Sequence, residues 1–74
     1  MMTSVNVGDV IEDRNGMPGT VTHTPDMLGI RREFKPDGDL LQVCLCDVHT
    51  EAGRHSIIFI LDRCHLIRTA EEPA

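Results

Sequence analysis

Apolar residues in this chain recur at alternate positions or in short runs, and nowhere keep helical spacing over ten residues. Val5 to Asp13 carries Val5, Val7, Val10 and Ile11, and Arg14-Asn15-Gly16 then forms a turn. Asn-Gly between apolar stretches is a strong hairpin signal, because both residues accept positive φ cheaply. From Gly19 to Thr24, Val21 faces one side of an expected strand and Thr20, Thr22 and Thr24 the other. Thr24-Pro25-Asp26-Met27-Leu28-Gly29 reads as one helical turn, with Thr24 as N-cap, Pro25 at the first helical position and Gly29 at the exit.

Pro36-Asp37-Gly38-Asp39 is a turn, which lets Ile30 to Phe34 fold back on Leu40 to Val48 as a hairpin. Within Leu40 to Val48, Leu41, Val43 and Leu45 share one face and Gln42, Cys44 and Cys46 the other. Thr50-Glu51-Ala52-Gly53 closes a further hairpin into a strand over His55 to Leu61. Asp62-Arg63-Cys64 suits a 3₁₀ turn, His65 to Arg68 a short final strand, and residues 69–74 a fraying tail. The expectation is an all-β domain over residues 1–68: a small SH3-like barrel of five to six short antiparallel strands, with one 3₁₀ turn before the last. Closing such a sheet removes the edges that invite aggregation.

Composition narrows the function. Val, Ile, Leu and Phe supply 20 of 74 residues, too many for a disordered acidic chain. The size leaves no room for a deep cleft, since a domain of about 60 residues buries only roughly 60% of its unfolded surface. No apolar run approaches the roughly 18 residues of a spanning helix. Met1-Met2-Thr3-Ser4 has neither the basic nor the apolar region of a secretory signal. Three cysteines, Cys44, Cys46 and Cys64, suit reduced thiols in the cytoplasm better than a disulfide framework. Net charge is −5, and setting aside Glu71 and Glu72 leaves the body at −3, which disfavours a generic polyanion binder.

Two stretches carry a resemblance. Val7-Gly8-Asp9-Val10-Ile11, followed by Gly16-Met17-Pro18-Gly19-Thr20-Val21, resembles the opening of KOW-type and related SH3-like barrels. Phe59-Ile60-Leu61-Asp62-Arg63-Cys64-His65-Leu66-Ile67 resembles their ending: a strand, a 3₁₀ turn and a short strand. The resemblance covers about half of the chain and implies a fold, not an activity. KOW members that bind RNA carry basic residues around the first turn, where this chain has Asp9, Glu12 and Asp13 against Arg14. The type II dihydrofolate reductases are SH3-like chains of similar length. Their Val-Gln-Ile-Tyr motif is replaced here by Ile57-Ile58-Phe59-Ile60, so that activity is not expected.

Candidate chemistry is sparse. Cys44, Cys46, His49, His55, Cys64 and His65 are of zinc-binding type, but an extended Cys-x-Cys sets its sulfurs roughly 7 Å apart, and the expected role is as semi-buried apolar side chains. No metal or cofactor is expected. Ser4 and Ser56, the only serines, lie outside any nucleophile elbow, and no catalytic residue is expected. Arg31, Arg32 and Lys35 form the one basic cluster, which Arg54 could extend, and they are the candidate contacts to nucleic acid. Asp26, Glu33, Asp37 and Asp39 offset them, and only Phe34 offers a nearby aromatic surface.

The most informative segment is Ile57 to Leu61. Ile57, Phe59 and Leu61 face one way and Ile58 and Ile60 the other, whereas a strand with one wet face should alternate with polar residues. Leaving two such side chains in water forfeits roughly 2–3 kcal/mol each. Either the connection carrying Met27, Leu28 and Ile30 covers Ile58 and Ile60, or a second chain does. The expected function is a non-catalytic module for protein binding or self-association through Ile58 and Ile60, with no membrane contact. Its alternatives are a nucleic-acid accessory module and an acidic protein that imitates a polyanion.

Overall fold

Five of the strands form one antiparallel sheet. The computed structural model describes residues 4–28, 33–34 and 40–71, and for 33, 34, 40 and 41 the backbone alone. The strands are β1 (Val10–Glu12), β2 (Pro18–His23), β3 (Glu33–Phe34), β4 (Leu40–Leu41), β5 (Val43–Thr50), β6 (Gly53–Ile60) and β7 (His65–Arg68). One helical turn, α1 (Pro25–Leu28), follows β2, and a 3₁₀ turn (Leu61–Arg63) links β6 to β7. The sheet runs β6-β5-β2-β1-β7, so strands adjacent in sequence, β6 and β7, lie at its opposite edges. β3 and β4 form a separate two-residue pair, Glu33 opposite Leu41 and Phe34 opposite Leu40. The result is a small all-β antiparallel domain with a 3₁₀ turn before its last strand.

Local chemistry explains the turns. After β1, the Asp13 carboxylate accepts bonds from the backbone N–H groups of Asn15 and Met17, both at 2.9 Å, and Gly16 takes φ +83°. After β2, the Thr24 hydroxyl accepts from the Met27 N–H at 3.4 Å, the cap expected from the sequence. Thr50 pairs with Gly53 around a two-residue loop, where Gly53 has φ +116°. Residues 29–32 and 35–39 lie outside the described residues, so the turn at 36–39 and Ile30 do too.

The core lies on the inner side of this sheet. Ile11 from β1, Val21 from β2, Cys44, Cys46 and Val48 from β5, Phe59 from β6, Leu61 and Cys64 enclose one another, with Val5 at one end. On β5 it is the cysteine face that turns inward, and both thiols are fully buried instead of half-exposed. Gly19 is buried where a Cβ would lie 2.9 Å from Cys46 Cβ and 3.0 Å from Phe59 Cζ. Its missing side chain lets the Phe59 ring settle across β2 and close the core.

Candidate functional site

The hairpin of β5 and β6 places Leu45 opposite Ile58 and Val43 opposite Ile60 on its outer face. Cross-strand pairs of this kind shield one another in part. Val43, Leu45 and Ile60 are half-buried, but Ile58 remains 62% exposed. On the inner side of β6, Phe59 is buried and Ile57 is 36% exposed. β6 therefore presents apolar surface on both of its sides. The helical turn does not cover it: α1 packs against β5 and β2, with Leu28 half-buried and Met27 57% exposed.

An open slot of about 190 Å³ lies beside β6, lined by Ile57, Ile58, Phe59 and Ile60 on one side. Asp13, Arg14 and Asn15 of the first turn, with Arg63 and Cys64, form the rest. It lies between β6 and the β1–β2 turn. Sequence reasoning missed this slot, since its walls come from three separated segments.

The basic cluster divides. Arg54 is exposed on β6, while Arg31, Arg32 and Lys35 lie outside the described residues. Among the described residues, no ion pair involves Arg14, Arg54 or Arg63; His65 pairs with Glu12 across β7 and β1.

The cysteines correct one expectation. Cys44 Sγ and Cys46 Sγ are 3.8 Å apart, not roughly 7 Å, because the two side chains lean toward each other in the core instead of standing parallel off the strand. Donation to Cys44 holds the Cys46 thiol well above the usual range, and burial and neighbouring charge reinforce this. The same bond holds Cys44 below it, against the effect of burial. Burial, then the charges of Cys44 and Asp13, push Cys64 up to about 11, and its thiol donates to the Ile60 carbonyl at 3.2 Å. All three are free thiols, and no group of three or more His, Cys, Asp or Glu side chains is arranged for a metal among the described residues.

Asp9 is the polar residue that sequence reasoning undervalued. It is buried, and its carboxylate accepts from the N–H of Asn6 at 2.8 Å and of Ala70 at 3.0 Å. Its backbone N–H donates to Asn6 O and its carbonyl accepts from Val21 N–H. Gly8 beside it has φ +96°, and a Cβ there would sit 2.8 Å from Ala70 Cβ. The Gly-Asp pair is thus a clasp that joins the start of the first strand to the second residue after the last, and part of the expected tail is held by it.

No helix among the described residues is long and apolar enough to cross a membrane. No protein-family model, curated protein or solved structure matches the chain.

Proposed function

We propose that this protein is a non-catalytic, SH3-like binding module that docks another protein chain on the outer side of β6, through Ile58 and Ile60. The SH3-like reading is supported by the ending β6, 3₁₀ turn, β7 and by the Gly16-x-x-Gly19-x-Val21 entry, in which Gly19 admits the Phe59 ring. The docking reading rests on one observation above all: Ile58 is 62% exposed in the middle of an apolar run, and α1 packs elsewhere. An isolated exposed isoleucine needs no explanation. One set among Val43, Leu45 and Ile60 on the same face forms a contiguous patch at the end of a sheet, where a second chain recovers the lost burial energy.

The test compares wild type with an Ile58→Asp, Ile60→Asp variant whose strand content is checked by circular dichroism. Wild type should sediment faster with rising concentration, or cross-link to a defined protein in a cell extract, and the variant should do neither. Identical sedimentation and identical cross-linking in the two folded proteins would remove the proposal.

A further inference from the structure

We propose that Cys44 and Cys46 form a two-sulfur site for a soft monovalent metal ion, copper(I). The site lies in the core, away from the outer side of β6, so it stands or falls independently of the docking reading.

The first argument is the separation of the sulfurs. Cys44 Sγ and Cys46 Sγ are 3.8 Å apart, although alternate residues leave an extended strand roughly 7 Å from each other. A disulfide needs its Cβ atoms about 3.5–4.5 Å apart. Reaching that would buckle β5, which is bonded to β2 on one side and to β6 on the other. A bridging ion asks for less. Metal–sulfur bonds of about 2.3 Å set two sulfurs about 3.8 Å apart at a tetrahedral angle and about 4.6 Å apart in line. That range begins at the distance already present. Turning the two side chains back toward the parallel setting of an extended strand covers the rest, with no movement of the backbone.

The second argument is the number of donors. Among the described residues, no third His, Cys, Asp or Glu side chain joins the pair to make a metal-binding group. The Cys64 thiol is engaged elsewhere, donating to the Ile60 carbonyl. Zinc takes four ligands in structural sites and would be left two short. Copper(I) is satisfied by two sulfurs, and soft sulfur donors select it over harder ions.

The third argument is charge. Both cysteines are fully buried among Ile11, Val21, Val48, Phe59 and Leu61, a core that keeps water away from a bound ion. The bond between the two thiols already makes them unlike, holding Cys44 below its usual range and Cys46 above it. On loading, Cys44 gives up its proton and binds as a thiolate, and Cys46 keeps its own and binds through a sulfur lone pair. One proton leaves for each ion that enters, so the core gains no net charge. A divalent ion entering by the same exchange would leave a positive charge in an apolar core. Because the pair is enclosed, the ion is taken up as the chain folds or opens locally.

Copper(I) supplied without oxygen to the reduced chain during refolding tests the site. The chain has no tryptophan or tyrosine, so sulfur-to-copper charge transfer is read in an otherwise dark part of the near ultraviolet. Wild type should take up one ion per chain, and the loaded form should unfold at a higher urea concentration than the free form. Cys44→Ala and Cys46→Ala, checked for strand content by circular dichroism, should each weaken uptake by at least about tenfold. Cys64→Ala should leave it unchanged. A wild type that takes up no ion, or whose urea midpoint is unchanged or lowered by copper, overturns the inference. So does uptake that persists in folded Cys44→Ala and Cys46→Ala, or that falls with Cys64→Ala. The wild-type and Cys64→Ala measurements decide the matter even where an alanine variant at 44 or 46 does not fold.

Discussion

The two ends of the sheet make unlike edges from the same kind of strand. At one end β7 is four residues long, begins with His65 and ends with Arg68, and is tied to β1 by the His65–Glu12 pair. The chain beyond it is clasped at Ala70 by Asp9. At the other end β6 is twice as long, carries Ile57 and Ile58 exposed on opposite sides, and borders an open slot. Exposure alone does not separate them, since β7 exposes Leu66 and Ile67 as well. The difference lies in length and in polar fastening. A short edge held by a buried carboxylate has little backbone to offer a second chain, whereas a long unfastened one has a ladder half built.

Several substitutions break or sharpen that contrast. The largest effect belongs to the inner side of β6: Phe59→Ala empties the ring that fills the space over Gly19, and should cost about 3–5 kcal/mol in urea denaturation. If it costs less than about 1 kcal/mol, β6 is not anchored through its inner side. Next comes the fastening of the β7 end. Asp9→Ala removes an acceptor shared by Asn6 and Ala70 and should cost about 1.5–3 kcal/mol, with amide exchange at Ala70 accelerated. Unchanged protection at Ala70 would show that the clasp does not hold this edge.

A third prediction concerns the 3₁₀ turn that carries the chain from one edge to the other. Cys64 titrates near 9.0 when unfolded and is pushed up to about 11 when folded. The folded state therefore retains the proton more tightly, so the contribution is complete below about pH 9 and is lost as pH rises toward 11. The chain has no tyrosine and one lysine, but Cys46, held higher still when folded, adds its own fall in that window, so Cys64 supplies only part of the slope. Stability from denaturation at a fixed low protein concentration should fall from pH 9 to 11, and Cys64→Ala should reduce the slope. An equal slope in both proteins would place the effect elsewhere. The smallest effect is at the exposed face: Ile58→Thr keeps a β-branched side chain and should change stability of the isolated chain by about 0.5 kcal/mol or less. A loss above about 2 kcal/mol would mean that Ile58 packs within its own chain.

Much of the architecture is legible because its causes are local. Asn15-Gly16, Thr24-Pro25 and Thr50 to Gly53 each carry their own turn or cap chemistry, and each forms where the sequence places it. What the sequence hides is distance. Asp9 and Ala70 are separated by 61 positions, so a turn residue is indistinguishable from a clasp until the chain closes. The sulfur contact of Cys44 and Cys46 was hidden for another reason, since strand pitch fixes where side chains leave the backbone but not how they lean within a core. At the candidate site the apolar run Ile57 to Leu61 is plain in the sequence, but the slot depends on Asp13 to Asn15 arriving beside it. The sequence shows surplus greasy surface, and only the fold shows which of it stays bare.

Amide hydrogen exchange, measured residue by residue in the isolated chain and in the sedimenting or cross-linked complex, tests most directly whether β6 is where another chain docks. The amides of β6 around Ile58 should gain protection in the complex, and those of β7 should not. Amides of β6 that exchange as freely in the complex as in the isolated chain would contradict the account.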